Sequence, residues 1–301
     1  MTSTASADPA PARLQEGARH WGRKLFPYGV LVPSAIPVAL FGAAMVLLLL
    51  KSFHEFVGAQ IASPYTLATW RHFLTSGFYW SVVRTTVELG AIVTVLTLVL
   101  GYPTAYVLSQ IRNRFVLVAS YVILFSPLLV SVVVRSYGWM LLLGQHGVLN
   151  AVLGRIPGLH APYTLLFNQT GVTIALVHIL LPFAIFPILS VLRQLPPGVS
   201  EAAEDLGAKP WQTWRKVVLP LSLPGVVTGA QIVFTLTISA WVTAALLGGG
   251  RVQLLGNLIY SNISELNWPL GAVEAFVLLA IALLALGLLG RLGRAVHVKE
   301  S

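Results

Sequence analysis

The stretch Leu270–Leu289 reads LGAVEAFVLLAIALLALGLL and contains a single charged residue, Glu274. A helix needs about 20 consecutive, mostly apolar residues to cross the hydrocarbon core of a bilayer, and this stretch has that length. Five more apolar runs predict spans of the same kind: Tyr28–Leu50, Val87–Gln110, Phe115–Val134, Thr173–Leu192 and Gly225–Leu247. The sequence therefore predicts an all-α polytopic membrane protein with six transmembrane helices.

The composition of the 301-residue chain agrees with this fold class. Charged residues make up 10% and hydrophobic residues 56% of the chain, and the mean hydropathy is +0.80. Soluble domains carry roughly 25% charged residues, so most soluble enzymes and nucleic-acid-binding proteins are excluded. The chain has no cysteine, which excludes disulfides and thiolate chemistry. Its seven histidines are scattered without metal-ligand spacing, and we predict no metal site.

The lysine and arginine residues predict the orientation, because these residues concentrate in cytoplasmic loops. With six spans and a cytoplasmic N-terminus, 13 of the 19 lie inside and 6 lie outside. A seventh span at Ser136–Gly154, which is also uncharged, would leave 8 inside and 11 outside. We therefore predict cytoplasmic N- and C-termini and an external re-entrant or interfacial segment at Ser136–Gly154.

The loop between the fourth and fifth predicted spans is unusually acidic for this chain. It reads PPGVSEAAEDLGAKPW from Pro196 to Trp211 and holds three of the chain's ten acidic residues. Ser200 is typical of a helix N-cap, and negative charge is favourable in the first turns of a helix. Gly207 is typical of a helix end, and Pro210 of the first turn of a new helix. Local chemistry alone indicates a capped helical connector on the inner leaflet.

The spacing in this loop closely resembles the EAA motif of ATP-binding-cassette importer permeases. Val217 is a conservative departure, since the family often has isoleucine there. In that family the segment forms a coupling helix that docks in a groove of the ATPase subunit. The resemblance implies six ATPase-coupling residues, of which the first four shape the docked helix and the last two transmit its movement to the fifth span: Glu201, Ala202, Ala203, Gly207, Leu219 and Pro220.

Other segments between about residues 80 and 275 resemble the spermidine/putrescine-type permeases of this family. They are Leu100-Gly101-Tyr102-Pro103, Val134-Arg135-Ser136-Tyr137-Gly138, Leu180-Leu181-Pro182-Phe183, Leu247-Gly248-Gly249 and Asn267-Trp268-Pro269-Leu270-Gly271. The resemblance implies the type I ABC importer (MetI-like) permease fold, with six spans per permease and two permeases around one translocation path.

The same resemblance implies function, partners and location. It implies the permease subunit of an ATP-driven, binding-protein-dependent importer of a polyamine or related small organic solute in the bacterial inner membrane. The expected partners are two ATPase subunits, a second homologous permease in a favoured heterodimer, a periplasmic solute-binding protein and membrane lipid, but no nucleic acid. No phosphate-binding G-x-x-x-x-G-K-[ST] motif is present, so the chain is predicted not to be an enzyme. ATP and Mg²⁺ would be bound by the ATPase subunits, and no cofactor is expected in this chain.

The predicted organisation follows from the spans and loops. It comprises a disordered cytoplasmic tail (1–27), a first transmembrane helix (28–50), a periplasmic loop (51–84), a permease core with five transmembrane helices (85–290) that includes the cytoplasmic coupling loop (193–222), and a cytoplasmic tail (291–301).

Three residues are candidates for the substrate path: Glu88, Trp241 and Glu274. Glu88 follows Arg84 by four residues, which predicts an ion pair on one helix face. Glu274 lies near the outer end of its span, where a structural role and a place in the path are equally compatible. Trp241 could offer an aromatic face to an amine, with core packing as the alternative.

One departure from the family argues against a polyamine as the solute. Polyamine importers of the family can carry an acidic residue at the end of the fifth span, whereas Trp241–Leu246 is uncharged.

An ion-gradient-driven secondary transporter is the alternative function. Such a carrier would be expected to show inverted repeats and ionisable residues at mid-membrane depth, and the sequence shows neither.

Overall fold

The computed structural model describes residues 35–57, 60–62, 65–156, 163–196 and 198–298. The predicted tail 1–27, the start of the first predicted span and the last three residues lie outside these ranges. The chain divides into two units, residues 1–51 and 52–301. The described part of the first unit belongs to an apolar helix, α1 (Ala35–Ser52), which is long enough to cross a membrane.

In its described residues, the second unit consists of helices, connecting loops and one short hairpin. Its strands β1 (Glu55–Val57) and β2 (Gln60–Ala62) pair antiparallel, with Glu55 opposite Ala62. The helices are α2 (Ala68–Thr75), α3 (Gly77–Gln110), α4 (Arg114–Phe125), α5 (Val132–Leu143), α6 (Val148–Leu153), α7 (Gln169–Gln194), α8 (Val199–Asp205), α9 (Pro210–Thr213), α10 (Leu219–Ile238), α11 (Trp241–Gly248), α12 (Leu255–Ser264) and α13 (Trp268–Val298). A 3₁₀ turn (Ser126–Leu129) follows α4, and a π-helical segment (Trp214–Val218) joins α9 to α10.

The described helices account for five or six spans. Five are long and apolar enough to cross a bilayer: Ala35–Ser52, Gly77–Gln110, Gln169–Gln194, Pro210–Ile238 and Trp268–Gly293. The sixth is a bent pair, Arg114–Leu129 and Val132–Leu153, whose halves meet at 98°. Two spans extend beyond the predicted apolar runs, since α3 begins at Gly77 and α13 continues to Val298. Polar residues at these ends continue the helical turns without adding to the apolar run.

The third span is not the continuous helix predicted for Phe115–Val134. Pro127 lies in the 3₁₀ turn that ends α4, and Val130 then takes an extended conformation (φ −92°, ψ 136°) before α5 begins. The chain therefore turns sharply inside the predicted span. Such a bend is that of a broken span or of a re-entrant loop, and the external position of Ser136–Gly154 stays a prediction.

The fifth span also differs from the predicted Gly225–Leu247. Its helix starts at Pro210 and ends at Ile238, and Ser239 and Ala240 separate it from α11. The helix runs on past Pro220, which follows a π-helical turn in which the Leu219 N–H donates to the Trp214 carbonyl. The apolar sequence runs on through the break, so hydropathy alone could not place it.

Helix α7 lies at the centre of the core, packed between α3 and α10. Small residues let these helices approach closely: a Cβ on Gly101 would lie 3.2 Å from the Ala184 Cβ. A Cβ on Gly225 would lie 2.8 Å from the Pro187 carbonyl oxygen. Two apolar clusters fill the space along α7, one around Leu176 and the other around Ile188, and both of these residues are buried. This core holds the ends of α3 and α10 in place beside the coupling loop.

Candidate functional site

The predicted coupling loop folds as a short helix closed by glycines. Helix α8 contains Glu201-Ala202-Ala203 and begins at Val199, one residue before the predicted cap Ser200. Gly207 has a φ of +82°, so its predicted left-handed conformation is confirmed. Across it, the Ala208 N–H donates to the Ala203 carbonyl at 3.0 Å, a bond that is typical of a helix C-terminus closed by glycine.

The surface of this loop is open and partly apolar in the unit described. Ala202 is exposed and a Cβ on Gly207 would meet nothing within 4 Å. Leu206 is 91% exposed and Trp211 is 64% exposed. The side chain of Glu201 lies outside the described part of the structure. The sequence pattern did not single out Leu206. The available signal was a leucine in a polar loop, placed between acidic residues and the glycine that ends the helix.

Three aromatic side chains, which we call the aromatic row, lead from this loop into the span helices. The Trp211 and Trp214 rings stack at 4.8 Å between centroids, and Trp214 meets Tyr102 of α3 edge-on at 5.8 Å. The Tyr102 and Ser222 hydroxyl oxygens are 2.9 Å apart. Because Ser222 donates to the Leu219 carbonyl, Tyr102 is the donor to Ser222. The row thus connects the loop to α3 and to the start of α10.

The two predicted coupling residues at the start of α10 lie on this connection. Leu219 packs against the apolar cluster around Ile188, and its carbonyl accepts a hydrogen bond from the Ser222 hydroxyl. Pro220 lies in the first turn of α10. The cluster itself comprises Tyr102, Ala105, Leu108, Ile185, Ile188, Leu189, Leu192 and Val218. Leu219 therefore lies at the start of α10 and contacts a cluster that includes residues of α3, so a movement of the loop could act on both helices.

The predicted ion pair on α3 is present. Arg84 Nε lies 3.9 Å from Glu88 Oε2, and both side chains are largely exposed. An exposed pair of this kind contributes about 0.3–0.5 kcal/mol at most. Glu88 is therefore on the surface of the described unit, and its contact with Arg84 explains its local role.

Glu274 is buried completely, although its position near the end of a predicted span suggested access to water. The Asn262 side-chain amide donates to both of its carboxylate oxygens, at 2.9 and 3.0 Å. Sequence analysis missed Asn262, because nothing in the loop pattern distinguishes it. In this conformation Glu274 joins α13 to α12 and does not line an open surface.

Trp241 begins α11, immediately after the break in the fifth span. It is half-buried and stacks on Tyr260 of α12, with centroids 4.0 Å apart and ring planes 14° apart. Tyr260 is 53% exposed, so this aromatic pair is partly open. An aromatic surface beside an interrupted span helix is suited to contact a cationic group.

Helix α12 links the regions of the three predicted path residues. Its Leu255 N–H donates to Thr86 Oγ1 of α3 at 3.0 Å, two residues before Glu88. Further along, Tyr260 contacts Trp241 and Asn262 binds Glu274. Trp241 and Glu274 are therefore both tied to one short helix, and that helix meets α3 two residues before Glu88. Within the described ranges, no three His, Asp or Glu side chains group as metal ligands would.

Residues 97–299 match the family described as "Binding-protein-dependent transport system inner membrane component". The chain belongs to this family. It is 35% identical over 225 residues to the spermidine/putrescine transport system permease protein PotB of Haemophilus influenzae, covering 74% of this chain and 78% of that protein. It is 32% identical over 263 residues to the inner membrane ABC transporter permease protein YdcU of Escherichia coli K12, covering 83% and 82%.

The fold matches a solved importer. A chain of a bacterial alginate ABC transporter, in complex with an alginate pentasaccharide-bound periplasmic protein, superposes with a TM-score of 0.76. The sequences are 16% identical, and the match covers 92% of this permease and 97% of that chain. The type I importer fold is thereby confirmed.

These matches confirm the family predicted from the EAA spacing. The protein is a multi-pass inner-membrane permease component of a binding-protein-dependent ABC importer. Members of this family are membrane subunits and are not themselves ATPases, and they work with ATPase subunits and a solute-binding protein.

Proposed function

We propose that this permease imports a polyamine or a related small organic solute by alternating access driven by two separate ATPase subunits. The names of its spermidine/putrescine relatives support this class of solute. A second, homologous permease completes the path as a heterodimer. A periplasmic binding protein delivers the solute, and the ATPase subunits bind ATP and Mg²⁺.

The observation that carries the proposal is the geometry of the coupling loop. Helix α8 offers a small and open surface at Ala202 and Gly207, beside the exposed apolar side chains of Leu206 and Trp211. A groove in an ATPase can accept such a surface, because apolar side chains gain free energy when they leave water. In the proposed complex, Glu201, Ala202, Ala203 and Gly207 shape this docked helix.

Movement of the docked helix would then pass into the spans. Trp211 and Trp214 move with the loop, while Tyr102 belongs to α3 and Ser222 to α10. Leu219 and Pro220 carry the same movement directly into α10. Because α7 packs tightly between α3 and α10, the helices are expected to shift as packed units and not to bend independently.

In this proposal, the solute passes close to the break in the fifth span. The Trp241–Tyr260 pair would contact an ammonium or alkyl group of the solute. The last carbonyls of α10 end at this break, and the negative end of the helix dipole favours a nearby cation. Glu88 and Glu274 remain candidates for the outer part of the path.

Reconstitution of the whole complex tests this function. The permease, its ATPase and its second permease should co-purify, and proteoliposomes should take up putrescine only with ATP and the binding protein present. Trp241→Ala should reduce this uptake more than Trp80→Ala, which removes an exposed tryptophan at the start of α3. Uptake by the permease alone, driven by an ion gradient without ATP, would refute the proposal in favour of a secondary transporter.

A further inference from the structure

Leu266, in the loop between α12 and α13, combines two unfavourable features. Its φ is +63°, in the left-handed region that residues with a Cβ rarely adopt. Its side chain is also 62% exposed, and an apolar side chain loses free energy in contact with water. An exposed leucine is ordinary by itself, and so is a left-handed glycine at a helix end. The two features in one residue call for a physical explanation.

The backbone explains the left-handed conformation of Leu266 but not its side chain. The Leu266 N–H donates to the Ile263 carbonyl at 3.0 Å, and the Asn267 N–H donates to the Asn262 carbonyl at 2.8 Å. These two bonds form a Schellman motif that closes α12, with Leu266 at the position that glycine usually takes. Glycine would allow both bonds without strain, so the leucine side chain adds a cost that the helix end does not require.

Phe167, the other non-glycine residue with a positive φ among those described, shows how such a cost can be offset within the chain. Its φ is +61°, and its N–H donates to the Leu247 carbonyl at 3.0 Å. Its ring covers Gly249 so closely that a Cβ on this glycine would collide with it. The Phe167 side chain thus gains a packed contact with the end of α11, whereas most of the Leu266 side chain faces solvent.

Leu266 lies at the end of the permease opposite to the coupling loop. Helix α10 begins beside that loop at Leu219, and a Cβ on Gly293 of α13 would lie 2.8 Å from the Val227 side chain near the start of α10. Trp268, the first residue of α13, precedes Gly293 by about 38 Å along the helix axis. The loop of Leu266 is therefore on the outer side in the orientation predicted from the loop charges.

The surroundings of Leu266 are those of a protein surface in water. Ser264 and the charged Glu265 directly before it are exposed, and Asn267 follows it. Irregular backbone exposed to lipid does not occur within the hydrocarbon region, so this loop lies outside that region. Trp268 is 39% exposed and adds a second apolar side chain. An apolar centre with a polar rim is the usual arrangement of a contact between proteins.

The same loop is connected to the proposed solute contact. Asn262, whose carbonyl takes part in the Schellman motif, donates through its side chain to both carboxylate oxygens of Glu274. Tyr260, two residues earlier on α12, stacks on Trp241. A protein bound at Leu266 would therefore lie beside the Trp241–Tyr260 pair and could act on it through α12. The partner that has to release a solute at this place is the solute-binding protein.

We propose that Leu266 is an apolar anchor for the solute-binding protein, which takes up its side chain in a pocket when it docks on this permease. Burial in the partner would remove the exposed apolar surface from water and offset the backbone strain. The proposal rests on the proposed function, because delivery by a binding protein is part of that function.

The test measures docking in proteoliposomes that contain the whole complex, using its own purified solute-binding protein loaded with putrescine. The readouts are the concentration of binding protein that half-maximally stimulates ATP hydrolysis and the thermal midpoint of the complex without binding protein. Leu266→Asn and Leu266→Gly both accept the left-handed conformation and lack the apolar side chain. Val148→Asn is the matched control, since it removes an exposed apolar side chain from the helical backbone of α6.

Both Leu266 variants should raise the half-maximal concentration by about tenfold or more, because loss of an interface anchor weakens docking. Their thermal midpoints should equal or exceed that of the wild type, since the backbone strain is relieved. These two effects together distinguish an anchor from a residue that stabilises the permease, whose loss would lower the midpoint. Val148→Asn should leave the half-maximal concentration unchanged.

The proposal is overturned if both Leu266 variants keep the wild-type half-maximal concentration, or if both have lower midpoints than the wild type. Reduced co-purification of the second permease, with unchanged stimulation, would assign Leu266 to a contact between permeases and reject it as an anchor.

The wild-type complex is measured in parallel for ATP-dependent uptake and for stimulation by the binding protein. Absence of both would reject the proposed function and the anchor with it. Normal uptake and stimulation of the wild type, with unaffected Leu266 variants, would reject the anchor alone.

Discussion

Gly207 shows how one backbone conformation shapes the coupling loop. Its φ of +82° ends α8 and directs the Ala208 N–H back to the Ala203 carbonyl. A residue with a Cβ would pay roughly 1–2 kcal/mol in this region, most of all a β-branched one. Since a Cβ on Gly207 would meet no neighbour within 4 Å, the effect of a substitution would come from the backbone or from the docked ATPase.

Gly207→Val should therefore uncouple ATP hydrolysis from transport. Uptake per ATP hydrolysed should fall several-fold at equal membrane levels, because the displaced loop no longer fits its groove. Gly207→Asn is the matched control, since asparagine tolerates the left-handed conformation. A normal ratio of uptake to ATP hydrolysed by Gly207→Val, measured in proteoliposomes, would contradict this prediction.

The buried Glu274 makes a second prediction at a single residue. Asn262→Leu removes the amide that donates to both carboxylate oxygens, and the complex should lose about 1–3 kcal/mol of stability. Adding Glu274→Leu should restore part of that loss, because no unpartnered carboxylate then remains. Thermal unfolding of the two variants checks this, with Glu265→Gln as a control at an exposed acidic residue. Equal midpoints for all variants would contradict it.

Close packing without intervening side chains joins the central spans α7 and α10. At Gly225, a Cβ would lie 2.8 Å from the Pro187 carbonyl oxygen and 2.9 Å from the Ile188 Cα. Both contacts are with backbone, which cannot rotate away as a flexible side chain can. The α7–α10 contact therefore depends on the missing side chain at this position.

Gly225→Ala should destabilise the permease by about 1–3 kcal/mol through the forced separation of α7 and α10. Gly287→Ala on α13 is the matched control, since its Cβ would meet nothing within 4 Å. Thermal unfolding in detergent measures both. A Gly225→Ala midpoint equal to that of Gly287→Ala would show that the two helices can separate at no cost.

The aromatic row predicts a second element-level effect. Tyr102→Phe keeps the ring against Trp214 but removes the hydrogen bond to Ser222, which is worth about 0.5–1.5 kcal/mol. Uptake per ATP hydrolysed should fall, while the level of protein in the membrane stays near normal. Tyr137→Phe, at an exposed tyrosine, should leave the ratio unchanged. If uptake per ATP hydrolysed is the same in Tyr102→Phe and Tyr137→Phe, the Tyr102–Ser222 hydrogen bond has no role in coupling.

The distribution of charge predicts the orientation of the whole molecule. Of the 19 basic residues, 13 fall on the predicted cytoplasmic side when six spans are counted. The bent pair Arg114–Leu129 and Val132–Leu153 fits that count if the two helices together cross the bilayer once, as a single broken span. With that orientation, the coupling loop is predicted to lie in the cytoplasm, where an ATPase could reach it.

Because the chain has no cysteine, single cysteines can map this topology. Arg155→Cys and Arg251→Cys should react with a membrane-impermeant maleimide added outside intact cells, and Lys209→Cys should react only after the membrane is opened. The reverse pattern is expected if Ser136–Gly154 is a seventh span, because each later loop would then change sides.

Much of the architecture followed from patterns along the chain. Long uncharged runs predicted the spans, and the spacing from Glu201 to Pro220 predicted the family and the helix that ends at Gly207. The continuous spans predicted at Phe115–Val134 and Gly225–Leu247 were wrong, since both helices break inside an apolar run. Hydropathy cannot detect such breaks, because an apolar residue contributes the same transfer free energy in either backbone conformation.

The sequence by itself determined which segments are apolar enough to enter the membrane, since transfer free energies add up residue by residue, and it predicted which loop meets the ATPase. Only the tertiary structure decided that Tyr102 meets Ser222 and that Asn262 binds Glu274. These contacts join residues far apart in sequence. They depend on how the helices pack against one another, and no local pattern records that packing.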